Sequence, residues 1–296
     1  MVKPLKYIFI VFTFFLTAHA FAGDSLTYTG SFGKFENAVS ISVGRSEFIF
    51  VSDAATNQVF KYSTKGIELA KFGGTGFGTN GLNNPVSIDA GDGLNLYICD
   101  NLNNRIQKLD YKLNYITGFD FNVYNQTADN SKRILYPSGV AFVSSGDVIA
   151  LIKSSEYKGA VINSFSDISV FIGSNFGYDR IGQPGKVVRG KSLDCWILDN
   201  ENSEVANFTT TGSYVKRLQK PSESDKVISI AYYNDNLYML TMKNVIKYDL
   251  KSEKYADIFP YAIDGLGKIS DFALLNDTTF LILTANTVIQ YNLNKN

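Results

Sequence analysis

One complete β unit is contained in residues 81–119, whose sequence is GLNNPVSIDAGDGLNLYICDNLNNRIQKLDYKLNYITGF. Four short segments of it carry the β-branched and aromatic residues that fit a pleated sheet; they are residues 85–89, 96–100, 106–110 and 115–119. Gly, Asn and Asp residues separate the segments, and these residue types form tight turns at low cost. The unit is therefore predicted to be a four-stranded antiparallel meander.

Copies of this unit recur along the chain at a spacing typical of repeat proteins. Apolar runs similar to residues 96–100 lie at residues 49–53, 148–151, 195–199, 237–241 and 280–284. The third segment recurs at residues 59–62, 161–164, 205–208, 245–248 and 288–291. Because the second segments are apolar without strict alternation, their strands are predicted to be covered on both faces, as in stacked sheets. The chain is predicted to be all-β and to contain six units.

The two ends of the repeat array indicate how it closes. The sixth unit has only three segments, whereas residues 26–33, LTYTGSFG, precede the first unit and resemble the fourth segments at residues 69–73 and 116–119. An N-terminal strand that completes the last blade would pair the chain ends and protect open sheet edges. We therefore predict a six-bladed β-propeller of four-stranded antiparallel blades, closed by the N-terminal strand, with an open solenoid as the alternative.

The N-terminus has the pattern of a secretory signal peptide. Lys3 and Lys6 precede an apolar run over residues 7–16, and small residues follow at Ala18, Ala20 and Ala22. This pattern predicts a signal peptide over residues 1–22 and a propeller domain over residues 23–296, with an uncleaved anchor as the alternative. The expected product is secreted or periplasmic, monomeric, and without membrane insertion after signal removal.

Charge and composition restrict the partners. The 28 Lys and Arg residues balance 28 Asp and Glu residues, so no basic excess is present to attract nucleic acid or anionic lipid. Aromatic residues make up 14% of the chain and hydrophobic residues 45%, which is enough to fill a large core. We expect one globular domain that does not bind nucleic acid.

The second unit resembles an NHL repeat. The resemblance rests on Leu82 to Pro85, the segment at residues 96–100, the run Asn104-Arg105-Ile106, and Asp110. It implies a propeller of the TolB-like six-bladed superfamily. Families built in this way include extracellular binding proteins, protein-interaction modules, peptidyl-hydroxyglycine lyases and, on related propellers, calcium-dependent lactonases. A shared fold does not choose among these functions.

The histidine content argues against several enzyme classes. The only histidine of the chain is His19, which lies in the predicted signal peptide. A mature chain without histidine has no histidine-liganded zinc, no Ser-His-Asp triad and no histidine general base. The metal ligands that the lyase resemblance would imply are therefore absent, and we expect no catalytic residues.

Three aspartates recur at the end of the second segment of a unit: Asp53, Asp100 and Asp199. They could line a calcium site at the mouth of the channel, because calcium is bound by several carboxylate and carbonyl oxygens. The simpler interpretation is that each one accepts hydrogen bonds within the turn that follows it. We therefore expect no cofactor, with calcium bound by these residues as the alternative.

The two cysteines, Cys99 and Cys195, occupy the second segments of units two and four. These units are not neighbours in a six-unit ring, and a disulfide requires Cα atoms no more than about 7 Å apart. Two buried free thiols are predicted.

Long loops between units are the candidate binding site. They cover residues 74–84, 122–136 and 174–184. Aromatic and Arg side chains on loops held by a rigid scaffold are frequent binding hot spots; those in these loops are Phe77, Tyr124, Tyr136, Phe176, Tyr178 and Arg180. The alternative is that the aromatic residues only pack over the blade ends.

The leading functional hypothesis is an exported, non-catalytic propeller that recognises a protein, peptide or glycan through these loops. The alternative is a metal-dependent hydrolase or lactonase of the six-bladed type, using calcium held by carboxylates around the channel.

Overall fold

The computed structural model of the protein describes residues 24–44, 48–144, 146–153, 155–220, 225–262 and 267–295. The expected signal peptide, residues 1–22, lies outside this part of the chain. In the described part, the strands form six four-stranded antiparallel sheets, so the predicted class and blade number are confirmed. No helix in the described ranges is both long and apolar enough to cross a membrane.

The first three blades follow the repeat units seen in the sequence. Blade 1 contains β2 (Ala38–Val43), β3 (Phe48–Asp53), β4 (Gln58–Ser63) and β5 (Glu68–Gly73). Blade 2 contains β6 (Pro85–Asp89), β7 (Asn95–Asp100), β8 (Arg105–Asp110) and β9 (Tyr115–Asp120). Blade 3 contains β10 (Gly139–Ser144), β11 (Asp147–Leu151), β12 (Gly159–Asn163) and β13 (Asp167–Ile172). Between blades 2 and 3 lie a single helical turn, α1 (Phe121–Tyr124), and a 3-10 turn (Asn130–Lys132).

The remaining blades complete the ring. Blade 4 contains β14 (Pro184–Arg189), β15 (Asp194–Asp199), β16 (Glu204–Thr209) and β17 (Tyr214–Leu218). Blade 5 contains β18 (Ser229–Tyr233), β19 (Asn236–Leu240), β20 (Asn244–Asp249) and β21 (Lys254–Pro260). Blade 6 contains β22 (Ile269–Leu274), β23 (Thr279–Thr284), β24 (Val288–Asn294) and the N-terminal strand β1 (Ser25–Phe32).

Ring closure occurs through the N-terminal strand, as predicted. Strand β1 pairs with β24 in antiparallel register, with Leu26 opposite Leu293 and Tyr28 opposite Tyr291. The innermost strands β2, β6, β10, β14, β18 and β22 each contact the next around the ring, and β22 contacts β2. The open solenoid is therefore excluded.

The second strands are buried on both faces because each sheet packs between two others. In β7, Leu96 and Ile98 pack towards blade 1, whereas Tyr97 and Cys99 pack towards blade 3. Each interface between neighbouring blades holds an apolar cluster of this kind within the described residues. This accounts for apolar runs without the alternation of a half-exposed sheet.

The cysteine prediction is confirmed, because both thiols are free and buried. Cys99 lies between blades 2 and 3, and Cys195 lies between blades 3 and 4. The Sγ of Cys99 donates a hydrogen bond to the carbonyl of Pro137 at 2.9 Å. Burial raises the pKa of both thiols, so both stay protonated at neutral pH.

Polar side chains link the innermost strands across blade boundaries. The N–H groups on the inner edge of these strands lie beside the preceding blade and need acceptors away from water. Serine and aspartate side chains of the preceding blade supply them: Ser40 to Ile88 N at 3.2 Å, Ser42 to Ala90 N at 3.0 Å, Ser87 to Val140 N at 3.2 Å, Asp89 to Phe142 N at 2.6 Å, and Asp271 to Ile41 N at 3.0 Å.

Candidate functional site

The antiparallel blades give the ring two different faces. Loops between blades and turns between second and third strands lie on one side, here called the loop face; it includes residues 74–84, 121–138 and 173–183. Turns between first and second strands, and between third and fourth strands, lie on the other side, here called the turn face; it includes residues 90–94 and 190–193. All six predicted binding residues are in the three long loops of the loop face.

Two of these loops have the same form although they lie two blades apart. Each has a Phe-Gly pair at its tip, Phe77-Gly78 in one and Phe176-Gly177 in the other, and both phenylalanines are 79% exposed. Each loop is closed at its base by a parallel bridge, Thr75 with Leu82 and Ser174 with Arg180. We call them the Phe-Gly loops. Each leaves its sheet at a glycine with positive φ, a conformation that strains other residues.

The first Phe-Gly loop is held by an ion pair between the partly exposed Arg105 and the buried Asp100. The Nε of Arg105 lies 2.8 Å from Asp100, whose side chain is fully buried. The two terminal nitrogens of Arg105 donate to the carbonyls of Phe77, Gly78 and Gly81 at 2.9 to 3.0 Å. The guanidinium of Arg105 therefore holds three carbonyls of the loop backbone, while the Phe77 side chain stays in solvent.

The second Phe-Gly loop is held by a guanidinium that comes from a different strand. In blade 4, Glu204 occupies the register position that Arg105 has in blade 2. Arg217 of β17 reaches over instead, 3.0 Å from Glu204 and 3.6 Å from the buried Asp199, and also donates to the carbonyl of Arg180. The sequence gives no sign of this clamp, because no arginine precedes the third strand of this blade.

Replacing Arg105 by Gln is expected to loosen residues 74–84. The loop carbonyls lose their common donor, and Asp100 loses its charged partner. Hydrogen bonds to charged groups contribute about 1.5–3 kcal/mol each to stability. Hydrogen exchange at the amides of residues 74–84 should accelerate. Arg180→Gln is the control, because its ion pair with Glu201 is exposed and should change exchange little. Unchanged exchange in Arg105→Gln would contradict the clamp.

The middle loop, residues 121–138, is rigid through its own hydrogen bonds. The Asn125 amide both donates to the carbonyl of Ile134 and accepts from its N–H, at 2.6 and 2.9 Å. Asn104 of blade 2 accepts from the N–H of Tyr136 at 2.9 Å. Tyr136 is 53% exposed. The loop therefore presents Tyr136 from a fixed backbone.

The other predicted residues of these loops lie differently. Tyr124 is half-buried, with its ring 6.1 Å from that of Phe119, so it packs over a blade end as the alternative interpretation expected. Tyr178 is 81% exposed, but its ring meets Tyr214 of the outermost strand β17 edge-to-face at 5.8 Å. Tyr178 therefore lies towards the outer rim of blade 4.

Sequence reasoning missed three exposed apolar residues beside the predicted ones. Leu102, Val123 and Leu135 are exposed in the same part of the loop face. An apolar residue set among asparagines in a turn, as in Asn101-Leu102-Asn103, was the available signal. Together with the exposed aromatic residues of the three loops they form the apolar sector, defined as Phe77, Leu102, Val123, Leu135, Tyr136 and Phe176.

The recurrent aspartates each serve their own blade. Asp53 accepts backbone N–H bonds from Glu36, Asn37, Ala55 and Thr56; Asp199 accepts them from Gly182, Gln183 and Glu201. Asp100 accepts from the N–H of Asn83 at 2.7 Å in addition to Arg105. These bonds tie each turn to the loop that enters the blade. In the described ranges, no three Asp, Glu, Cys or His side chains are grouped so that they could hold a metal ion.

A cavity of about 720 Å³ opens at the turn face, opposite the apolar sector. The C-terminal halves of the innermost strands line it, with Asp89, Lys186 and Arg189 among the charged residues. Below it, Lys186 and Asp271 meet at 2.5 Å across the channel. We call this cavity the cup. The repeat pattern did not predict it, because its residues come from strands far apart in sequence.

The comparisons with known proteins bear on the fold. No family model matches the chain, and no curated protein matches it. Among solved structures, a streptogramin B lyase aligns with a TM-score of 0.64 at 11% identity, over 92% of this chain and 98% of that one. Virginiamycin B lyase from Staphylococcus aureus aligns with a TM-score of 0.61 at 12% identity, over 92% and 100% of the two chains. These proteins share the six-bladed fold.

A second structure of the Staphylococcus aureus enzyme is a catalytically inactive histidine-to-alanine variant with quinupristin. It aligns with a TM-score of 0.60 at 14% identity, over 87% of this chain and 80% of that one. The structural overlap establishes the architecture. At identities this low it says nothing about function, which must be argued from the site itself.

Proposed function

We propose that the protein is an exported, non-catalytic binding module that recognises its partner through the apolar sector of the loop face. The observation that carries the proposal is the pair of Phe-Gly loops. Partly buried guanidinium groups, each beside a fully buried aspartate, hold both loop backbones, yet both tips hold their phenyl rings in solvent. Exposed aromatic side chains on a rigid backbone have little entropy to lose on binding, and they make effective anchors.

Among the candidate ligands, a protein surface or peptide fits the apolar sector better than a glycan. Five of the six residues of the apolar sector have no hydrogen-bonding group in their side chains, and Tyr136 contributes a single hydroxyl. A glycan presents many hydroxyl groups, and binding sites place polar groups to orient such ligands. We therefore assign an apolar protein or peptide surface as the partner, in line with the NHL resemblance of the second unit.

The enzyme alternative has less support. The lyase with the same architecture is inactive when a histidine is replaced by alanine, and the only histidine of this chain is His19. A calcium-dependent hydrolase or lactonase would need Asp53, Asp100 or Asp199 as ligands. Each of these carboxylates accepts hydrogen bonds from its own blade, which gives each a structural role.

The double variant Phe77→Ser and Phe176→Ser is expected to weaken partner binding at least about tenfold, since each ring would be buried at the interface. The partner is first captured by the purified protein from the exported fraction of its host, identified by mass spectrometry, and prepared separately for calorimetry. The melting temperature should stay unchanged, because both rings are already in solvent.

The matched control is Ile67→Ser with Leu94→Ser. These side chains are 60% and 69% exposed on the turn face, and their loss should leave affinity unchanged. EDTA should alter neither affinity nor melting temperature. A partner that binds the double variant as tightly as the unaltered protein would refute the proposal. Hydrolytic activity lost in Asp100→Asn, or a fall of several degrees in melting temperature with EDTA, would favour the calcium enzyme instead.

A further inference from the structure

The cup on the turn face has the size of a small-molecule site. Its volume of about 720 Å³ lies within the usual range for ligand pockets, roughly 300–1,000 Å³. Its walls mix apolar residues such as Val43 and Val188 with charged side chains. It lies at the opposite end of the molecule from the apolar sector, so its use does not depend on the proposed function of that sector.

The floor of the cup is internally satisfied. Asp271 accepts from Lys186 Nζ at 2.5 Å, from Ser229 Oγ at 2.5 Å and from Ser40 Oγ at 3.3 Å. It also accepts from the N–H of Ile41 at 3.0 Å. Positive and negative charge cancel here, and the carboxylate is surrounded by donors. The floor groups are therefore partnered among themselves, and ligand recognition is left to the walls.

At the rim, Lys191 of blade 4 and Asp235 of blade 5 form an ion pair across the blade boundary. Two charged residues of the cup remain, Arg189 and Asp89. The side chain of Arg189 makes no hydrogen bond or ion pair with the part of the chain that the structure describes, although its backbone pairs with Cys195 in the sheet. Its guanidinium lies 5.4 Å from the centre of the Phe142 ring, so the donors at its edge are available.

Asp89 is the counterpart of opposite sign. One carboxylate oxygen accepts from the N–H of Phe142 at 2.6 Å, and the other from the N–H of Gly91 at 3.1 Å and from Ser42 Oγ at 3.4 Å. Within the described ranges, no cation approaches it to ion-pair distance. Burial raises the pKa of Asp89, and the nearby charge of Lys186 lowers it only in part. A cationic group of a ligand would stabilise this carboxylate.

Arg189 and Asp89 flank the same residue, since one lies over the ring of Phe142 and the other binds its backbone N–H. We propose that the cup binds a small zwitterion of the amino acid or short-peptide class. The ligand carboxylate binds Arg189, its ammonium group binds Asp89, and its side chain packs on the apolar walls.

The opposed charges select against simpler ligands. A plain anion drawn to Arg189 brings its charge into a cup that already holds Asp89, and a plain cation meets Arg189 in the same way. Unfavourable like-charge pairs discriminate strongly in partly buried sites. A zwitterion satisfies both groups without adding net charge, and Arg binds a carboxylate through two parallel hydrogen bonds.

The first test is a thermal-shift screen of the twenty common L-amino acids and their dipeptides with alanine, each at about 10 mM. At least one probe is expected to raise the melting temperature by about 2 °C or more, since a ligand that binds only the folded state stabilises it. The best probe is then measured by calorimetry beside its analogues without the amino group and without the carboxylate. Each analogue should bind about tenfold or more weakly.

Variants locate the site. Arg189→Met and Asp89→Asn should each reduce affinity about tenfold or more, and Asp89→Asn keeps an oxygen for the N–H of Phe142. Lys216→Met, which removes a cation outside the cup, and the double variant Phe77→Ser with Phe176→Ser should leave affinity unchanged. The proposal is overturned if no probe shifts the melting temperature, if the analogue without an amino group binds as well as the parent, or if Arg189→Met binds normally. The loop-face proposal is judged by its own partner assay, so the two can fail separately.

Discussion

A chain that lacks residues 24–32 is expected to aggregate instead of folding into a closed ring. Strand β24 would keep β23 on one side but lose its outer partner, and its free edge would expose unpaired N–H and C=O groups, a template for pairing between chains. Leu26 would also be lost from the apolar cluster between blades 5 and 6, where it bridges to Tyr261. Light scattering after size exclusion should show oligomers in place of a monomer of the blade domain.

Two controls separate ring closure from a general effect of truncation. Tyr28→Thr alters an exposed side chain of the same strand and should stay monomeric. A synthetic peptide of residues 24–34, added during refolding, should restore a monomeric complex with the truncated chain. A truncated chain that is monomeric and melts at the original temperature would show that β1 is not needed for closure.

Replacing Asp271 by Ala is expected to lower the free energy of unfolding by about 3 kcal/mol, the lower end of the usual cost of breaking a buried ion pair, because Lys186 is partly exposed. Lys186 would lose its carboxylate partner, and the N–H of Ile41 would lose its acceptor. The side chain of Asp271 is almost fully buried, so water replaces these contacts poorly. Urea denaturation with an unchanged m-value would measure the loss.

A double-mutant cycle that combines Asp271→Ala with Lys186→Met measures the interaction between the two side chains. Lys186→Met should cost less than Asp271→Ala, because Asp271 keeps two serine hydroxyls and a backbone N–H. The double variant should cost less than the two single changes added together. Lys191→Ala removes an exposed cross-blade pair at the cup rim and should have little effect. A loss below about 1 kcal/mol in Asp271→Ala would mean that the channel pair contributes little.

The architecture could be predicted because the same pattern of buried strands and tight turns is repeated in each blade. The run at residues 96–100 is apolar on both sides because neighbouring sheets cover both faces, and that environment recurs in every blade. Closure could be predicted because residues 26–33 match the fourth strands and the last unit lacked one. The blade architecture and its closure can therefore both be inferred by comparing the repeats of this one sequence with each other.

The candidate sites could be predicted only in part by comparing the repeats. The long loops and the exposure of Phe77 and Phe176 follow from sequence, but the clamp by Arg217 depends on which strand brings a guanidinium to Asp199. The cup has no sequence signature, because Asp89 and Arg189 are 100 residues apart by number and meet only through the ring. Tyr124 was a candidate binding residue, and its ring lies against Phe119; the sequence does not show whether a loop aromatic packs on a blade end or points into solvent.

The pairing of β1 with β24 also sets the order of events in folding. The hydrogen bond from Thr29 to Gln290 joins residues 261 positions apart, so the first strand of the domain has no partner until the ribosome has made almost the whole chain. Blades 1 to 5 can form in turn from local hairpins, but blade 6 must wait for both termini. Contacts of such separation slow folding, and the waiting edge of β1 is the surface on which a nascent chain is most exposed to misassembly.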